Sequence, residues 1–216
     1  MERPWLGLTA AAFALVSACA NESENAGVSA PEHSSTALRD IDGNAYRVVE
    51  RAGQLWMAEN LRTTRTPSGS PLTTHAPDDD AGNIEAYGLL YDWDEAQRAC
   101  PTGWRLPSDA EWSAFIDSVG VDNAEFWLDQ EYWMRVEARS GADASGFAVR
   151  PAGYWNGAGL DNLFGSRAVL WTATEDSDGE ELAWSRVVQS NGDPIVRRAS
   201  QHAHYGFSVR CVAGNG

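Results

Sequence analysis

Lysine is absent from this chain. All 16 basic residues of the 216 are arginine, set against 31 carboxylates for a formal net charge of -15. The chain therefore has no Schiff-base lysine, no phosphate-loop lysine and no ammonium general base. The acidic balance also argues against nucleic acid, whose phosphates call for a basic face. Cysteine is scarce, at three, and no apolar run reaches the roughly 20 residues a membrane-spanning helix needs. What is plentiful is tryptophan (10), glycine (20) and proline (9). That mixture favours short strands and long ordered loops over a helical bundle.

The cysteines divide by position. Arg3, an apolar stretch from Leu6 to Val16 and the small residues Ser17 and Ala18 precede Cys19. This is the layout of a bacterial secretory leader, and the cysteine at its cleavage point resembles a lipobox. The expectation is that residues 1–18 are removed and that Cys19 carries the lipid anchor. Ala20 stands where many inner-membrane lipoproteins have aspartate, which points to the outer membrane, facing the periplasm or the cell surface. Export leads to an oxidising compartment where disulfides persist. Pairing Cys100 with Cys211 then leaves no free thiol; two buried free thiols are the alternative. Such a bridge closes a loop of about 110 residues and contributes on the order of 4 to 5 kcal/mol. Residues 19–37 are small and polar without apolar periodicity, as in a flexible tether.

Residues 38–213 read as one folded domain. Turn signals at Asp42-Gly43-Asn44 and Ala52-Gly53 alternate with apolar groups at Tyr46, Val48, Val49 and Leu55 to Met57, which predicts a hairpin. Residues 63–86, rich in Thr, Pro, Ser, Asp and Gly, predict a long surface loop. A short helix is expected over Tyr91–Ala99. A second begins at Ser108, where Glu111 three residues on completes a capping box, and buries Trp112, Phe115, Ile116 and Val119 on one face. Residues 122–138 suggest a third, weaker helix. Strand-like runs follow to the end, giving an α+β order.

The segments DIDGNAYRVV, QLWMAENL, YGLLYDWDEAQRACPTGWRLPSDAEW, SGFAVRPAGYW, VLWTAT and GFSVRCV occur in that order. Together they resemble the Fibrobacter succinogenes major paralogous domain over residues 38–213. RLPSDAEW and SVRCV are also similar to the formylglycine-generating, sulfatase-modifying enzymes and to other C-type-lectin-like folds. The resemblance implies a C-type-lectin-like α+β fold in which the first and last strands pair and long loops form the binding face. Those enzymes work through a pair of active-site cysteines, and a bridged Cys100 and Cys211 leave none for that chemistry.

The candidate binding residues are Tyr154, Trp155, Asn156, Asp161 and Asn162, aromatics beside amides and carboxylates in a Gly-rich loop, a combination suited to sugar faces and hydroxyls. The competing reading is that Tyr154 and Trp155 cover the core. Trp127, Tyr132 and Trp133 form a second aromatic group, read as helix packing. Asp176, Asp178 and Glu180 offer alternating oxygen ligands for calcium, as do Asp78, Asp80 and Asn83, but neither set completes an EF-hand loop and solvated turns are the alternative. His202 and His204 alternate as on a strand face, though two ligands do not make a zinc site. Ser166 and Ser208 lack the strained elbow of a hydrolase nucleophile. Trp56, Trp93, Trp104, Trp112 and Trp171 read as core, and Arg105 as the ion-pair partner of Glu111.

The expected function is a non-catalytic, lipid-anchored envelope module that binds polysaccharide or a surface protein. The alternatives are a structural lipoprotein without a small ligand and a divergent polysaccharide hydrolase.

Overall fold

The computed structural model describes residues 37–119, 128–133, 146–157, 163–177, 181–189, 196–200 and 202–214. The expected leader, its Cys19 and almost all of the expected tether lie outside these residues, as do Asp161, Asn162, Asp178, Glu180 and Trp127.

The chain opens with two hairpins. The first joins β1 (Leu38–Arg39) to β2 (Ala45–Tyr46) around Asp40, whose carboxylate accepts hydrogen bonds from Asn44 N at 2.9 Å and Tyr46 OH at 2.6 Å. The second joins β3 (Val48–Arg51) to β4 (Gln54–Met57). Its two turn residues, Ala52 and Gly53, both have positive φ (50° and 72°), the handedness that matches strand twist in two-residue hairpins.

The expected surface loop is more ordered than its composition suggests. It contains β5 (Thr74–His75), two short 3-10 turns and α1 (Ile84–Tyr87). Next, Leu90–Tyr91 forms β6, and α2 runs over Trp93–Ala99 with Asp92 as its cap, accepting from Glu95 N at 2.8 Å. The helix expected from Tyr91 thus begins two residues later, because Tyr91 pairs with Thr74 on one side and Phe207 on the other. After β7 (Trp104–Arg105) comes α3 (Asp109–Val119), and its capping box forms as expected: Ser108 N donates to Glu111 Oε2 at 2.8 Å. The expected third helix does not run through residues 128–133. There Asp129 N bonds to Val149 O and a single 3-10 turn spans Gln130–Tyr132.

Strands β8 (Arg167–Glu175), β9 (Ala183–Gln189), β10 (Val196–Ser200), β11 (Phe207–Ser208) and β12 (Val212–Ala213) complete two main sheets. Their orders are β10-β9-β8-β11-β6-β5 and β3-β4-β12-β7. Between these strands pairing is antiparallel except for β11 against β8, and parallel bridges join Leu128 to Val149 and Gly153 to Ala168. The domain is α+β. In the second sheet the last strand pairs with β4, at Val212 opposite Trp56, and not with β1, which is occupied by β2.

Successive side chains of a strand point to opposite faces, and here both faces are covered. Trp56, Leu170, Val188 and Val212 enter one cluster with Trp112 and Phe115 of α3. Their neighbours Met57, Trp171, Val187 and Cys211 enter the other, with Ala96 and Ala99 of α2. Within the first cluster the Trp56 ring lies 4.9 Å from those of Trp112 and Phe115, and such pairs add about 0.5 to 1.5 kcal/mol each beyond burial. Trp56, Trp112 and Trp171 are fully buried, while Trp93 and Trp104 pack at the margin of the second cluster. Arg186 of β9 ties α3 to the sheet through a buried ion pair with Asp109 at 2.6 Å.

Cys100 and Cys211 form a disulfide across 111 residues, joining the end of α2 to the residue before β12.

Candidate functional site

A polar cleft of about 310 Å³ lies where three distant segments meet. Asn60 and Arg62 supply one wall, Glu85 and Ala86 of α1 a second, and Ala148 and Arg150 a third. Glu59, Tyr132 and Arg210 also line it.

Backbone docking fixes these walls. Leu89 N bonds to Leu61 O at 2.9 Å, and Asn60 Nδ2 donates to Tyr87 O at 2.8 Å. Gly88 permits this approach: its φ is +78°, and a Cβ there would lie 2.6 Å from Asn60 Cβ and 2.8 Å from Leu61 O. Only glycine meets both demands.

The arginines are held just as firmly. Arg210 is 1% exposed. Its Nε donates to Asn60 Oδ1 at 2.8 Å, Nη2 to Ala148 O at 2.8 Å and Nη1 to Phe147 O, while the guanidinium stacks 4.2 Å from the Phe147 ring. Arg150 donates Nε to Asp129 Oδ2 at 2.8 Å and Nη1 to Ala86 O at 2.6 Å, and lies 3.9 Å over the Tyr132 ring. Among the described residues nothing accepts from its Nη2. Arg62 is only 14% exposed but is paired with Glu85, which is 84% exposed. Arg62 Nε lies 3.3 Å from Glu85 Oε2, yet that buried Nε makes no hydrogen bond. Nη2 carries the contact, donating to Glu85 Oε1 at 3.3 Å and to Ala45 O at 3.4 Å, so one long bond holds the pair.

Chemically, the cleft offers forks of fixed N–H donors and permanent positive charge, three arginines against two glutamates. That favours planar anions such as carboxylates. Both glutamates are held by arginine outside or inside the cleft: Glu59 accepts from Arg47 N at 2.9 Å and Nε at 3.2 Å, and Glu85 faces Arg62.

The aromatic candidates lie elsewhere. Trp155 pairs through its backbone with Gly206, N to O at 2.9 Å in both directions, and its ring stacks on His75 at 3.7 Å and 6°. One ring face is therefore taken by the protein. Burial lowers the pKa of His75, against the pull of Asp92 and Asp79. Tyr154 leans on Tyr205 and Phe207 at the edge of the core. Tyr154, Trp155 and Asn156 share a hollow of only about 10 Å³ with Asp78 and Asp79, about the room of one water.

Of the calcium candidates, Asp176 is buried and closes the β8–β9 hairpin through its backbone N to Leu182 O at 2.8 Å. Asp80 Oδ1 caps Gly82 N at 2.8 Å, and Asn83 Nδ2 bonds to Pro77 O at 3.0 Å. Among the described residues no three His, Cys, Asp or Glu side chains gather as a metal site. His202 and His204 lie in a turn closed by Tyr205 N to His202 O at 3.0 Å, so they do not share a strand face.

The cleft itself was missed in the sequence because Arg62, Arg150 and Arg210 are far apart in the chain. A signal was present in two of them: FAVRPAG and FSVRCVA each set a lone arginine inside an apolar run, a residue type that is buried only with partners.

No curated protein and no solved structure matches this chain. The family model for the Fibrobacter succinogenes major domain matches residues 49–213, a span that takes in both main sheets but for Val48, the disulfide and every arginine of the cleft, and the chain belongs to that family.

Proposed function

We propose that this chain is a non-catalytic binding module of the bacterial cell envelope, with polysaccharide as its ligand and the arginine cleft as its site. The observation that carries this reading is the fixing of Arg150 by Asp129 and the Ala86 carbonyl, behind which the buried Arg210 holds two walls of the cleft together. Preorganised donors bind without further loss of side-chain freedom. The reading also includes a cleaved leader, a lipid on Cys19, an outer-membrane location and a C-type-lectin-like arrangement of loops. Support for export comes from the Cys100–Cys211 bridge, a feature of oxidising compartments. The bridge also removes the thiols that the formylglycine-generating enzymes would use.

A glycan array probed with the exported protein tests the binding role. Retention on polysaccharide that falls at least tenfold in Arg150→Gln, with Trp155→Ala unaffected, is the expected outcome; a uniformly blank array would leave a structural envelope role. Glu59 and Glu85 on one cleft favour a second reading, glycoside hydrolysis by two carboxylates, and release of reducing ends from any bound polysaccharide would establish it. Incorporation of labelled fatty acid, lost in Cys19→Ala, tests the anchor.

A further inference from the structure

We infer that the cleft recognises a carboxylate, so that its ligand is an acidic sugar of the uronic type, and that Glu85 occupies the carboxylate position until the ligand arrives. This rests on the reading of the cleft as a binding site and names the chemistry it selects.

Three observations lead there. Arg62 is nearly buried, and a buried guanidinium needs an anionic or carbonyl partner on its donors. Its anionic partner, Glu85, is 84% exposed and holds it by a single long bond, Nη2 to Oε1 at 3.3 Å, leaving Arg62 Nε without a hydrogen bond. Arg150 adds a second guanidinium to the same cleft, and among the described residues nothing accepts from its Nη2. A ligand carboxylate can make the bidentate contact that Glu85 does not, displacing a side chain that loses little by returning to water.

The remaining lining favours a sugar over an acidic peptide. Among the described residues, apolar groups of the lining are confined to Ala86, Ala148 and the ring of Tyr132, already covered by Arg150. No pocket exists among these for a peptide's apolar side chains, whereas Asn60 and Glu59 suit hydroxyl groups. The cleft volume, about 310 Å³, is at the small end for ligand sites, appropriate to a short saccharide stretch.

The test measures binding of four probes by titration calorimetry: oligogalacturonate, its methyl ester, neutral cello-oligosaccharide and polyglutamate. Oligogalacturonate is expected to bind at least about tenfold more tightly than its ester, the weight of one charge-assisted contact, and to weaken with salt. Glu85→Gln removes the internal competitor from an exposed position and should tighten oligogalacturonate binding about 2- to 5-fold, the scale of an exposed pair. Arg62→Gln should erase the preference for acid over ester. Equal binding of acid and ester, or no gain in Glu85→Gln, overturns the carboxylate assignment while leaving a sugar-binding module standing. Polyglutamate binding without any saccharide binding overturns it in favour of a peptide. Failure of all four probes overturns it as well, and a blank glycan array would then remove the module reading too.

Discussion

Arg210 shows how one side chain can organise a site without touching solvent. Its fork gathers Asn60, Phe147 and Ala148, residues from two separate walls of the cleft, around a single cation. Replacing it by methionine keeps most of the stem volume but strands two carbonyls and an amide oxygen in a buried place. Each such orphan costs about 1 to 3 kcal/mol. Arg210→Met should therefore lose about 3 kcal/mol or more, read as a lower urea midpoint with unchanged slope. At this scale the sequence was informative about burial and silent about partners. The tryptophans at 56, 112 and 171 could be placed in the core from their neighbours. Trp155 could not be resolved between core and ligand platform, because the partner that covers one of its faces, His75, is 80 positions away and carries no motif.

Among the elements, α3 has the clearest local code. Ser108 and Glu111 cap it reciprocally, and Arg105 from β7 grips the same carboxylate at 2.8 and 2.5 Å, with Gln54 adding a bond at 3.0 Å. The Arg105 fork is the main cause that holds the Glu111 carboxyl at about 2, below its ordinary 4.5, against the opposing effect of burial. The folded carboxyl is the stronger acid, so protons bind preferentially to the unfolded chain. The stabilisation is complete above about pH 4.5 and is lost as pH falls toward 2. Arg105 is 42% exposed, and water screens the pair, so we assign it about 1 to 2 kcal/mol in place of the roughly 3 that the pKa alone would imply. Glu111→Gln should lower stability at neutral pH by that amount and flatten the decline between pH 4.5 and 2, as followed by thermal melts across the range. The capping box was legible because all its parts lie within four residues. Tyr91 was misread for the opposite reason: its helical spacing is real, but two strands distant in sequence claim its backbone first.

For the molecule as a whole, the disulfide is the longest-range covalent constraint in the domain. Reduction, or Cys100→Ala with Cys211→Ala, should remove about 4 to 5 kcal/mol and lower the melting temperature by roughly 10 to 20 °C for a domain of this size. Non-reducing peptide mapping should recover the two cysteines as one linked species. The count and placing of the cysteines made this pairing legible in advance, as motif order did the α+β class. The cleft was not legible, since its position depends on how residues near 60, 85, 150 and 210 converge once the sheets have formed.

That convergence depends on a short stretch near the C-terminal end of the domain. Phe207–Ser208 forms the interior strand between β8 and β6, Arg210 closes the cleft, Cys211 makes the bridge and Val212 sits between β4 and β7. Both sheets are therefore incomplete in a chain that is still being synthesised. A nascent chain cannot lock into its final structure before residue 212 has left the ribosome, so the domain folds only after nearly all of it has been made.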